Sequence, residues 1–120
     1  MNIEKINTKN GVIAVVDADE KIITDMQSAL DLLVTANYEA GAKYIVINKE
    51  LICNDFFILS TGIAGEILQK FINYDCKIAV YGDYSHYTSK PLKDFIYESN
   101  KGKDIFFAAS KAEAIERFSS

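Results

Sequence analysis

A chain of 120 residues carrying a formal charge of -4 holds enough sequence for one domain, because two units of half that length would each struggle to bury a core. With 49% hydrophobic and 25% charged residues, 6 Gly and 1 Pro, it cannot be disordered over most of its length. Lys and Arg number 13 against 17 Asp and Glu, which leaves no positive field for generic binding to nucleic-acid backbones.

Residues 1–6 mix charge into a short apolar pattern and lack the apolar core and cleavage site of a signal peptide. No run approaches the roughly 18 apolar residues that cross a bilayer, so the expected place of work is the cytoplasm, away from membranes. Cys53 and Cys76 are too far apart in sequence for a CxxC redox pair or half of a zinc site. They are expected to be incidental thiols, and neither a metal nor another cofactor is implied.

In chain order, strands are predicted at 3–6 and 12–16, joined as an antiparallel hairpin with Asn10-Gly11 at the positive-φ turn positions. Thr24 and Gln27 fit a capping box ahead of Met26, Ala29, Leu30 and Leu33, so a helix is predicted over 25–38, ended by Gly41. Continuous apolar runs at 44–47, 78–81 and 105–108 read as parallel strands covered on both faces. Between and after them lie helical patterns: Ile63, Ala64, Ile67, Leu68 and Phe71; Leu92, Phe95 and Ile96 after Pro91; Ala112, Ile115 and Phe118 after the Ser110/Glu113 capping box. The predicted order is ββαβαβαβα. The expected fold over residues 1–120 is a single α/β domain, an amino-terminal hairpin followed by alternating elements, with a mostly parallel sheet flanked by helices.

Function in such sheets gathers beyond the carboxyl ends of the strands, which directs attention to the loops after residues 47 and 81. In the first, Ser60 and Thr61 are expected to open a helix, where plain capping is the simplest reading. Gly62 and Gly65 beside them leave room for close approach by a strand, an anion or a partner protein. Neither GxxxxGK[ST] nor GxGxxG is present. In the second loop, His86, the only histidine, could act with Asp83 as base and orienting acid, although a solvated loop histidine needs no further explanation. Asp17, Asp19 and Glu20 lack the calcium-loop pattern and read as a solvated turn. Among Phe56, Phe57, Tyr81, Tyr84 and Tyr87, most are expected in the core, and an exposed Phe56 or Phe57 would mark a contact patch.

The strand at 44–47, the loop and the Ser60-Thr61-Gly62 helix start resemble the STAS domain of anti-sigma-factor antagonists. In that family a Ser-Ser/Thr-Gly at this place carries a regulatory phosphorylation site. Residues 55–71, Gly82-Asp83-Tyr84-Ser85 and residues 94–102 resemble more closely a STAS-like group of small bacterial proteins, an uncharacterised family with no assigned function. Leu59 stands where the antagonists commonly have Asp, and the strand-to-helix loop is longer here.

What the resemblance implies is a regulatory protein–protein interaction module. Its binding or regulatory residues would be Ser60, Thr61 and Gly62, with Asp55, Phe56 and Phe57 as a neighbouring contact loop and no catalytic residue. The alternative, drawn from the residues, is a small-molecule or anion-binding protein, enzymatic in one version, built on the Ser60 helix start with Asp83 and His86. A concave pocket joining the two loops favours the alternative, and a flat surface favours a protein partner. A third reading is a homodimer formed through the first helix or the Gly65 face.

Overall fold

The computed structural model describes residues 1–120 as five strands and four helices in one sheet-centred domain. The strands are β1 (Asn2–Thr8), β2 (Gly11–Asp17), β3 (Tyr44–Asn48), β4 (Lys77–Tyr81) and β5 (Ile105–Ala108). The helices are α1 (Met26–Ala40), α2 (Ile63–Asn73), α3 (Lys90–Lys101) and α4 (Lys111–Ser119). Strand order in the sheet follows the chain, β1-β2-β3-β4-β5, with β1 antiparallel to β2 and every other pair parallel. The predicted order and the single antiparallel addition are both present.

Because every crossover steps in the same direction along the sheet, α1, α2 and α3 lie on one face. Ala29, Leu32 and Ala36 of α1, Ile67 and Phe71 of α2 and Leu92 of α3 pack there on Ala14, Val16, Ile45, Ile47, Ile78 and Val80. No strand follows β5, so α4 turns back across the other face, where Ala114 and Phe118 cover Ile13, Val15, Val46, Ala79 and Phe106. Both faces of the central strands are thereby dry, which is why their sequences show no polar alternation. A sheet whose strand order never reverses has no topological switch point, so the crevice that such a reversal opens is absent.

Two local details differ from expectation. Thr8 pairs with Gly11, so Lys9 and Asn10 are the turn residues and only Gly11 takes positive φ, at 130°. The Thr8 hydroxyl accepts from Asn10 N–H and donates to the Gly11 carbonyl, which closes the turn one residue earlier. Asn10 Nδ2 then donates to the Phe118 carbonyl at 3.0 Å, tying the hairpin to the end of α4.

The α1 capping box is likewise shifted by one residue. The Asp25 carboxylate accepts from Ser28 N–H at 2.8 Å and the Ser28 hydroxyl accepts from Asp25 N–H at 3.0 Å. Gln27 instead donates to Asp31. The Ser28 hydrogen bonds hold the Asp25 carboxyl below its ordinary range. Asp25→Ala is expected to lower the melting temperature by a few degrees, because the Ser28 amide loses its acceptor. Thermal denaturation followed by circular dichroism checks this, and an unchanged midpoint would show that the cap is dispensable. At the other end Gly41 adopts φ 62° and donates back to Ala36 and Asn37, as predicted.

Candidate functional site

The segment between β3 and α2 is the longest connection in the chain and is built from three single 3-10 turns, Lys49–Leu51, Asn54–Phe57 and Leu59–Thr61. It is pinned to the stretch ahead of α1. Ile23 bridges to Ile52, Cys53 N–H donates to the Ile23 carbonyl at 2.8 Å, and Lys21 Nζ donates to the carbonyls of Glu50 and Ile52. A long loop stitched this way has few free backbone groups and a defined shape.

Ser60 and Thr61 precede α2 without opening it. Gly62 is the N-cap, at φ 78°, and has no side chain with which to cap the helix. Thr61 Oγ1 lies 2.8 Å from the Ile58 carbonyl and 2.9 Å from that of Asp55, and it accepts from Ile63 N–H at 3.3 Å. Its hydroxyl is therefore spent on closing the turn. Ser60 is exposed and makes no side-chain hydrogen bond. An added Cβ would meet nothing within 4 Å at Gly62 or Gly65, so Gly62 serves its positive φ and no part of the chain uses the space at Gly65.

The contact loop requires correction. Asp55 is exposed, but Phe56 and Phe57 are only 2% and 5% exposed and sit edge to face, with ring centroids 5.0 Å apart. Phe57 stacks on Tyr87 at 5.5 Å, and Tyr84 packs against Phe57, Tyr87 and Phe107 while donating its hydroxyl to the Val80 carbonyl at 2.8 Å. Burial pushes the Tyr84 phenol up, out of reach of titration in the neutral range. The aromatic residues therefore hold the β4–α3 loop onto the β3–α2 loop and leave no aromatic patch for a partner. The exposed apolar residue of this segment is Ile58, at 51%.

Where the two loops meet they enclose a cleft of about 520 Å³. Lys49, Glu50, Asn54, Phe57 and Ile58 line it from the β3 side, and His86, Tyr87, Thr88, Ser89 and Leu92 from the β4 side. His86 is thus at the cleft, its ring 4.5 Å from that of Tyr87, whereas Ser60 and Asp83 lie outside the lining. The Asp83 carboxylate accepts from Ser85 N–H at 2.8 Å. The hydrogen bonds from Ser85, and then the nearby His86, hold its carboxyl below the ordinary value. No hydroxyl or thiol is hydrogen-bonded to His86, and no group of three or more His, Cys, Asp or Glu side chains is close enough to hold a metal ion.

Lys49 is the cleft residue that sequence reasoning missed. It is the one buried charged side chain, 8% exposed, with Nζ 2.9 Å from Glu50 Oε1 and 5.3 Å from the Tyr87 ring centroid. Burial works against its charge, but the Glu50 hydrogen bond and the neighbouring Tyr87 outweigh this and raise the ammonium above its usual range. The same pair holds the Glu50 carboxyl low. Register explains the seat. Asn48 pairs with Tyr81, so Lys49 emerges beside Gly82, whose φ of 154° and missing Cβ make room for the lysine stem. A single lysine after a strand carries no sequence signal, and Gly82 gains its meaning only from that pairing.

Elsewhere, α1 presents exposed Val34 and Tyr38 beside Tyr74, forming a shallow apolar groove of about 210 Å³. Cys76 is buried, which pushes its thiol up to about 12, and Cys53 is half-buried. No helix is long and apolar enough to cross a membrane. No curated protein and no solved structure matches the chain. Residues 8–118 match the family described as Domain of unknown function (DUF4180), and over that nearly complete length the chain belongs to this family.

Proposed function

We propose that the chain is a binding domain for a small molecule, held in the cleft between the β3–α2 and β4–α3 loops, and that it works in the bacterial cytoplasm. The observation that carries this reading is the concavity itself. Two loops from adjacent strand ends meet around about 520 Å³, within the roughly 300–1,000 Å³ of small-ligand sites. Its lining is mostly polar, with Lys49, Glu50, Asn54 and His86 among the polar groups, and Ile58 is the exposed apolar residue, Phe57 and Leu92 being buried behind it. Convergent polar groups around a concavity fix a ligand's orientation.

The test is a fragment screen read by amide chemical shifts. Binding fragments should perturb Glu50, Asn54, Ile58, Tyr87 and Ser89 together. A screen in which no fragment moves these amides would reject the cleft as a ligand site.

One observation favours the regulatory interaction reading as a second function. The Ser60 hydroxyl is exposed and unengaged while that of Thr61 is committed, which makes Ser60 the accessible acceptor for a kinase in a STAS-like switch. A phosphoryl group there would add roughly 1.5 to 2 negative charges and repel an acidic partner. Loss of partner binding in Ser60→Asp, with binding kept in Ser60→Ala, supports the switch. Equal binding by both variants counts against it.

A further inference from the structure

We propose that the cleft takes an organic monocarboxylate, whose acid group replaces the Glu50 carboxylate on Lys49. The inference rests on the small-molecule reading above and adds the ligand's chemistry. A buried cation needs a counter-charge. Lys49 has one in Glu50, which is its sequence neighbour, stands on a single 3-10 turn and has a side chain 72% exposed. Glu50 loses little by swinging into water, since it is already hydrated. Only one of the three ammonium hydrogens is taken by a carboxylate. Exchange therefore swaps one carboxylate for another, and the incoming one sits inside the cleft, with less water to screen it.

The charge of the ligand follows from what surrounds the ammonium. Glu50 and Asp83 are the nearby acids, Lys49, Lys21 and His86 the nearby bases. The chain's only arginine, Arg117, lies on α4 with its guanidinium over the Phe106 ring, across the sheet. A phosphate ester with two negative charges would find neither a planar guanidinium fork nor a second free ammonium, since Lys21 Nζ is spent on the carbonyls of Glu50 and Ile52. One ammonium matches one carboxylate. The body of the ligand follows from the remaining wall, where Ile58, 51% exposed, supplies apolar surface beside the half-buried Tyr87.

The experiment is an amide-shift titration of the full chain with 1-naphthoate, with 1-naphthalenemethanol as its uncharged counterpart and with inorganic phosphate. It is repeated on Glu50→Gln and on Lys49→Met, which keeps most of the stem packed on Gly82. Naphthoate should move the amides of Glu50, Asn54, Ile58, Tyr87 and Ser89. Glu50→Gln should bind it up to about fivefold tighter, because an exposed ion pair no longer competes. Lys49→Met should bind it at least about tenfold more weakly, the value of a lost charge-assisted hydrogen bond. Circular dichroism on both variants verifies that they fold. Equal affinity for naphthoate and the alcohol, or for naphthoate in all three proteins, overturns carboxylate exchange while leaving the cleft a ligand site. Phosphate moving these amides where naphthoate does not overturns the organic-acid class. No movement with any probe in any variant overturns the inference, and the fragment screen then decides separately whether the cleft binds small molecules at all.

Discussion

Phe56→Ala is expected to lower stability by about 3–4 kcal/mol, within the range for truncating a fully buried phenylalanine. Phe56 is 2% exposed, one of the largest enclosed side chains in the chain, and it belongs to the core that joins α1 and α2 to the sheet. For a domain of this length the loss corresponds to a fall of about 10–15 °C in melting temperature. Urea denaturation monitored by circular dichroism measures it. A change below about 0.5 kcal/mol, the ordinary surface value, would return Phe56 to the role of a contact residue and overturn its place in the core.

Gly82→Ala is expected to cost about 2–4 kcal/mol, combining backbone strain with overpacking. The new Cβ would stand 2.6 Å from Lys49 Cγ and 2.8 Å from its Cδ, at a φ of 154° that L side chains avoid. The two contributions separate in a double-mutant cycle. In a Lys49→Ala background the obstructing atoms are gone, so Gly82→Ala should cost only the strain, about 1–2 kcal/mol. The coupling between the sites should then exceed about 1 kcal/mol. Equal costs in both backgrounds would show that Gly82 is needed for its backbone conformation alone. Because Gly82 seats the lysine, Gly82→Ala should also displace the Lys49 ammonium and weaken binding of the naphthoate probe proposed for the cleft.

Most of the architecture was legible in the residues. The continuous apolar runs at 44–47, 78–81 and 105–108 are β3, β4 and β5, since a strand covered on both faces has nowhere to place a polar side chain. Gly41 and Ser110 terminate and start their helices as their chemistry requires. Short patterns are less decisive where neighbouring residues can compete for one role. Thr24 with Gln27 fits a capping box, yet the carboxylate of Asp25, paired with Ser28, takes the position. Asn10-Gly11 is a strong turn signal, yet the Thr8 hydroxyl closes the turn around Lys9 and Asn10. Hydroxyl residues favour helix starts, so Ser60-Thr61 ahead of an apolar helical pattern predicts that they open α2. The structure spends Thr61 on the preceding turn and begins the helix at Ile63.

Hydrophobic period, caps and turn residues act over a few neighbouring positions, and they suffice to set the class of the fold, the order of its elements and the place of its two long loops. That Phe56 and Phe57 face inward, that Ser60 and Asp83 lie outside the cleft lining while His86 is in it, and that Lys49 is buried at the cleft wall were not legible in the residues. Those facts depend on which strands pair and in what register. The Asn48–Tyr81 pairing sets Lys49 against Gly82, and the stacking of Phe57 on Tyr87 closes one loop over the other. Such contacts join residues far apart along the chain, and their energy appears only after the intervening helix has packed.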